Sequence, residues 1–185
     1  MSYALIGVAV LLLVIWIVIY NSVVGARNAV DSAFSSVDVM LKKRADLIPN
    51  LVASVRQYMQ HESSLLERIV ALRNTATSPG IAESDRLQAE GQLSGALGQL
   101  RVAVENYPNL KANENFLQLQ GALNESEEQI SAARRAFNAA VLDYNNSIDM
   151  FPYSIVASMQ NFQRRAFFEI PETERKNVDV KGLFA

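Results

Sequence analysis

The sequence predicts an all-α protein, an N-terminal transmembrane helix continuing into an elongated antiparallel four-helix bundle. Three observations carry this. Residues Tyr3 to Tyr20 form an uncharged apolar run. Downstream, apolar residues recur at steps of three and four, the period of a helix buried along one face. No stretch sustains the apolar–polar alternation of a half-buried strand, so strand content should be close to nil.

The apolar run has 18 residues and extends through Asn21 and Ser22 to Val24. At roughly 1.5 Å per helical residue it reaches about 27–33 Å, matching a hydrocarbon core of roughly 30 Å. Tyr3, Trp16 and Tyr20 supply aromatic anchors, and Tyr3 and Tyr20 fall where an interfacial belt would place them. The rival is a cleaved signal peptide, for which Val24-Gly25-Ala26 offers a small-residue cleavage site. That rival expects a basic leader and a shorter apolar core, and no Lys or Arg precedes the run. Every charged residue lies from Arg27 onward, with Lys42, Lys43 and Arg44 following. Basic residues favour the cytoplasmic side, so the N-terminus is expected outside and the bundle in the cytoplasm. The expected layout is 1–2 as a short extracytoplasmic N-terminus, 3–24 as the membrane helix, 25–170 as the bundle and 171–185 as an extended or partner-docked tail.

The first apolar stripe runs Val23, Ala26, Val30, Phe34, Val37, Leu41, Ile48, Val52, Val55, Met59, Leu66 and Ile69. It predicts a long first helix reaching Asn74. Pro49 should interrupt it, since proline removes a backbone donor and crowds the carbonyl four residues back. Lys42, Lys43 and Arg44 suit a last turn and Asp46 an N-cap, so a kink or break is expected at 45–49. Residues 75–80, TATSPG, read as a turn, with Ser78 as N-cap and Pro79 as first residue of the second helix. That helix carries Leu87, Leu93, Leu97, Leu100 and Val104 and ends near Tyr107-Pro108. A third, from about Asn113, carries Phe116, Leu119, Leu123, Ile130, Phe137, Val141, Tyr144 and Ile148. A fourth starts near Pro152.

Composition narrows the chemistry. Seventeen basic and 19 acidic residues give a net charge of −2, so no nucleic-acid footprint is present. There are no cysteines, which removes disulfides, thiolate chemistry and cysteine metal sites. The one histidine, His61, opens an H-E-x-x-H pattern that fails because its second histidine position holds Leu65. Phosphate loops, nucleophile elbows and dinucleotide fingerprints are also missing. No catalytic residue, cofactor or metal is expected.

Four charged residues fall on or beside apolar stripes: Glu62, Glu105, Glu127 and Arg134. A charge facing a core must find a partner or shift its pKa. One reading is a structural polar layer between helices, with Glu62 or Glu105 partnering Arg134. The other is a ligand or signal site inside the bundle. Asn138, Asn145 and Asn146 are read as ordinary polar positions or interhelical hydrogen bonders.

Five segments in order carry a resemblance: YNSVV (20–24), LKKRADLIPNLVASVRQYMQHE (41–62), ENYPNLKANENFLQLQ (105–120), ARRAFNAAVLDYN (133–145) and FP (151–152). In these the chain resembles the bacterial LemA family, from the anchor to about Phe168. The resemblance implies a single-pass membrane protein with a long helical bundle and no established enzymatic activity. It also implies associations, with internal membrane formation in some relatives and with a neighbouring membrane metalloprotease gene in others. The expected function is a non-enzymatic membrane-anchored scaffold that forms a homo-oligomer on the lipid bilayer. The alternatives are an adaptor or regulatory subunit of a membrane protease or sensor, and a membrane-remodelling protein.

Overall fold

A computed structural model describes residues 2–168, apart from the side chains of 83 and 84. The expected tail, 171–185, lies outside the described residues. Among the described residues all regular structure is helical: α1 (Ser2–Arg56), a 3₁₀ turn (Gln60–Glu62), α2 (Ser63–Ala76), α3 (Glu83–Val104), α4 (Pro108–Lys111), α5 (Glu114–Asp149) and α6 (Tyr153–Met159). Within them the chain forms two compact units, one of residues 2–38 and 131–168, the other of 39–130.

The break expected at 45–49 is absent, because α1 runs unbroken through Pro49 to Arg56. The physical reason lies on α2. Pro49 has no N–H, so the carbonyl of Ala45 loses its helical donor. Arg73 Nε donates to that carbonyl at 3.1 Å. Pro49 itself is exposed, while Ala45 and Ile48 beside it are buried. The proline thus sits on the outer face and the orphaned acceptor is supplied from the inner one.

The chain turns later. The amides of Tyr58 and Met59 both donate to the Val55 carbonyl at 3.0 Å, and Met59 is fully buried. The single first helix expected to reach Asn74 is therefore two, α1 and α2. The end of α2 is tied off by hydroxyls: Thr77 Oγ1 donates to the Arg73 carbonyl at 2.9 Å and Ser78 Oγ to that of Asn74 at 2.8 Å. Ser78 thus closes α2 and does not cap the next helix. Gly80, at φ +75°, takes the left-handed turn, and α3 begins only at Glu83. Asn113 does cap α5, accepting the Phe116 amide on Oδ1 at 3.1 Å.

In the unit of 39–130 the core is drawn from α1 (Ile48, Leu51, Val55), α2 (Leu66, Ile69), α3 (Leu93, Leu100, Val104) and α5 (Phe116, Leu123). Leu110 of α4 and Met59 complete it. Four long helices, α1, α2, α3 and α5, supply most of this core. The helix expected as the fourth, after Pro152, is α6, which has only seven residues.

The other unit buries Val23, Val30 and Val37 of α1 with Phe137, Val141, Tyr144 and Ile148 of α5. Phe34 meets Phe137 with ring centroids 5.6 Å apart. Residues 163–168 carry no regular secondary structure and are held by α5. Asn145 Nδ2 donates to the Arg165 carbonyl and its Oδ1 accepts the Arg165 amide, both at 2.9 Å. Asn138 does the same for Phe168, at 3.1 and 2.8 Å. The spacing fits: seven helical residues rise about 10.5 Å and three extended residues about 10 Å. Tyr144 donates its hydroxyl to the Gln163 carbonyl at 3.0 Å.

Arg73→Met removes the donor to Ala45 and should destabilise the protein by about 1–3 kcal/mol, the cost of a stranded acceptor. In a Pro49→Ala background the alanine amide serves that carbonyl, so the loss should shrink to the value of a partly exposed side chain. Chemical denaturation of the four variants of this cycle reads the coupling. Equal losses in both backgrounds would disprove the compensation.

Candidate functional site

The unit of 39–130 contains a charged layer buried among its apolar side chains. Since α1 is continuous past Leu41, Arg44 falls on the buried stripe between Leu41 and Ile48. Its side chain is 0% exposed. On α3, Glu90 sits one turn before Leu93 and its side chain is 3% exposed. Arg44 Nη2 forms an ion pair with Glu90 Oε2. Arg44 Nη1 donates to Glu127 Oε1 of α5 at 2.5 Å and to Ser94 Oγ of α3 at 2.6 Å. One guanidinium therefore joins three helices.

The charges balance by position. The Arg44–Glu90 pair is neutral and buried, whereas Glu127 is 40% exposed and keeps part of its hydration. A buried charge is tolerated when paired and hydrogen-bonded in this way. Beside the layer lies a cavity of about 260 Å³ whose lining includes Ser94, Leu97, Phe116, Leu123, Asn124 and Glu127. That volume falls below the roughly 300–1,000 Å³ of typical small-molecule pockets. The arrangement holds helices in register, and its polar groups converge on one another.

Of the four residues singled out from sequence, only Glu127 belongs to this layer. Glu105 is exposed and pairs with Lys111 at 2.5 Å. Glu62 is half-buried at the end of the 3₁₀ turn. Arg134 holds its guanidinium 4.5 Å from the centroid of the Phe168 ring. The layer's cation is Arg44, and its missed partners are Glu90 and Ser94. Sequence reasoning spent Arg44 on a helix terminus that Pro49 was expected to impose. The signal was present, because Arg44 is three residues after Leu41 and four before Ile48.

The anchor residues are also placed. The large aliphatic side chains from Leu5 to Val18 are 43–71% exposed, so this stretch of α1 is not a core helix of the protein. Tyr3 is 91% exposed. Trp16 and Tyr20 stack at 5.6 Å, and Tyr20 meets Phe162 at 6.2 Å. Outside that stretch, burial pushes the Tyr144 phenol above its usual range, while Arg165 and Arg27 pull it back. It stays protonated at neutral pH and can donate to Gln163. Among the described residues, no group of three His, Cys, Asp or Glu could hold a metal ion.

Arg44→Met strands Glu90 in the interior and should cost about 3–5 kcal/mol in chemical denaturation. Replacing both partners, Arg44→Met with Glu90→Leu, should restore most of that loss. A single variant as stable as the parent would remove the layer from the list of structural determinants.

The LemA family's sequence profile matches residues 33–181. Protein LemA of Metamycoplasma hominis is 25% identical over 163 residues, covering 88% of this chain and 74% of that protein. Magnetosome protein MamQ 2 of Paramagnetospirillum magneticum is 26% identical over 175 residues, covering 81% of this chain and 64% of its own. Magnetosome protein MamQ of Magnetospirillum gryphiswaldense is 24% identical over 174 residues, with 80% and 64% covered. The chain thus spans just under two thirds of the length of these MamQ proteins. With the family profile matched over most of its length, the chain belongs to the LemA family.

Proposed function

We propose that this protein is a membrane-anchored, non-enzymatic helical scaffold that self-associates on the bacterial inner membrane. One observation carries the proposal: a single helix, α1, supplies both an exposed apolar stretch of membrane-spanning length and core residues as far as Val55. Cleavage after Ala26 would strip Ile19 and Val23 from the core of their unit, which favours a retained anchor over a signal peptide. The polar groups best organised inside the protein neutralise one another, an arrangement suited to stiffness. Arg27 directly after the apolar stretch and the Lys42–Arg44 cluster favour a cytoplasmic helical domain.

A second reading is membrane remodelling, favoured by the relatives named as magnetosome proteins. Purified protein that deforms liposomes at densities where it does not self-associate would support remodelling over scaffolding.

Native mass spectrometry in mild detergent should show oligomers of defined stoichiometry; a clean monomer at working concentration would overturn the scaffold. A reporter active only outside the cytoplasm, fused after Ala185, should be silent, and its activity would reverse the orientation.

A further inference from the structure

The turn after α5 exposes Met150 (62%) and Phe151 (80%), and α6 exposes Ile155 (52%) and Met159 (68%). Four large apolar side chains within ten residues form a patch that the unit of 2–38 and 131–168 leaves uncovered. Its depth follows from register. Phe34 of α1 faces Phe137 of α5. Arg27 is close enough to Tyr144 to act on its phenol, and both line one surface recess. Seven residues back along α1 therefore match seven forward along α5, so the helices are antiparallel. Seven more in each direction bring Tyr20 level with Phe151. The segment after α6 gives the same level independently, since Phe162 meets Tyr20. The turn after α5 and the segment after α6 thus both lie at the boundary of the apolar stretch of α1, where Trp16 and Tyr20 stack.

The recess lined by Arg27 and Tyr144 also takes in Arg164 and Arg165. Arg164 pairs with Asp149 and Arg165 with Asp31, both at 3.0 Å, so carboxylates match the guanidiniums there and the bare Met, Phe and Ile side chains carry the case for lipid.

We propose that the turn after α5 and α6 together form a second membrane contact: Met150, Phe151, Ile155 and Met159 insert into the interfacial layer of the bilayer that α1 spans. The occupant of the patch is lipid, because the patch is continuous in depth with a surface already suited to lipid. The proposal rests on the reading of α1 as a membrane anchor. With two contacts the protein gains a fixed tilt and rotation on the membrane, which a lone helix does not impose.

The chain has no cysteine, so single cysteines carry a fluorophore cleanly. The full-length variants Phe151→Cys, Met159→Cys, Val14→Cys and Ser131→Cys would be labelled with an environment-sensitive dye. They would then be reconstituted in phosphatidylcholine–phosphatidylglycerol vesicles. Labels at 151 and 159 should emit to the blue of the label at 131. Nitroxides placed shallow in the acyl chains should quench them more than deep ones, as for groups about 5–10 Å below the headgroup boundary. Aqueous iodide should quench them several-fold less than the label at 131. The label at Val14 should respond to deep nitroxides. If labels at 151 and 159 are as open to iodide as that at 131 while Val14 remains lipid-quenched, the second contact is disproved and the anchor stands. Shielding from iodide without quenching by any lipid nitroxide would also overturn the proposal, since protein then covers the patch. Loss of lipid quenching at Val14 would instead reject the anchor on which the proposal rests.

Discussion

Pro49 leaves the carbonyl of Ala45 without its helical donor, and Arg73 on α2 supplies one at 3.1 Å. Much of the protein depends on that exchange. It lets α1 continue to Arg56, where sequence rules would stop it. Because α1 continues, Leu41, Arg44, Ile48, Leu51 and Val55 remain in one helical phase and face one core. A helix broken at 45–49 would rotate Ile48 and Val55 relative to Leu41 and leave the guanidinium of Arg44 without a defined place. The same hydrogen bond draws α2 against α1, so one side chain repairs a helix and fixes its neighbour.

The Arg44 layer is the second consequence. It joins α1, α3 and α5 at one level of an otherwise apolar core. Hydrophobic contacts tolerate sliding by a turn, but a buried guanidinium does not, since any shift strands Glu90. The other unit uses a different lock. Asn138 and Asn145 each offer a donor and an acceptor to the backbone of 165–168. Both devices spend polar side chains on alignment, which agrees with the proposed role as a stiff scaffold.

The sequence made the helical class plain because the stripes of α1 and α5 are long and strongly periodic. The apolar N-terminal run and the start of α5 near Asn113 were equally legible, since both depend on local chemistry. Two failures share a cause. Pro49 and Arg44 were each judged by their neighbours along the chain, but each is decided by something distant, Arg73 twenty-four residues away and Glu90 on another helix. Ser78 was read forward into the next helix and instead serves the carbonyl of Asn74 behind it. Once Pro49 was taken as a break, Arg44 became a helix terminus and the layer was sought around Arg134. The asparagines of α5 were visible, but their partner is backbone, which carries no residue-specific signal.

The proposed function rests on the continuity of α1, which joins an apolar stretch of membrane-spanning length to core residues as far as Val55. Hydrogen–deuterium exchange of the full-length protein in lipid nanodiscs tests that continuity most directly. Amides from Leu5 to Arg56 should be protected without a gap, by bilayer over the first stretch and by packing thereafter. A fast-exchanging window at 45–50 or at 24–27 would contradict it, showing a hinge where the protein is described as one helix.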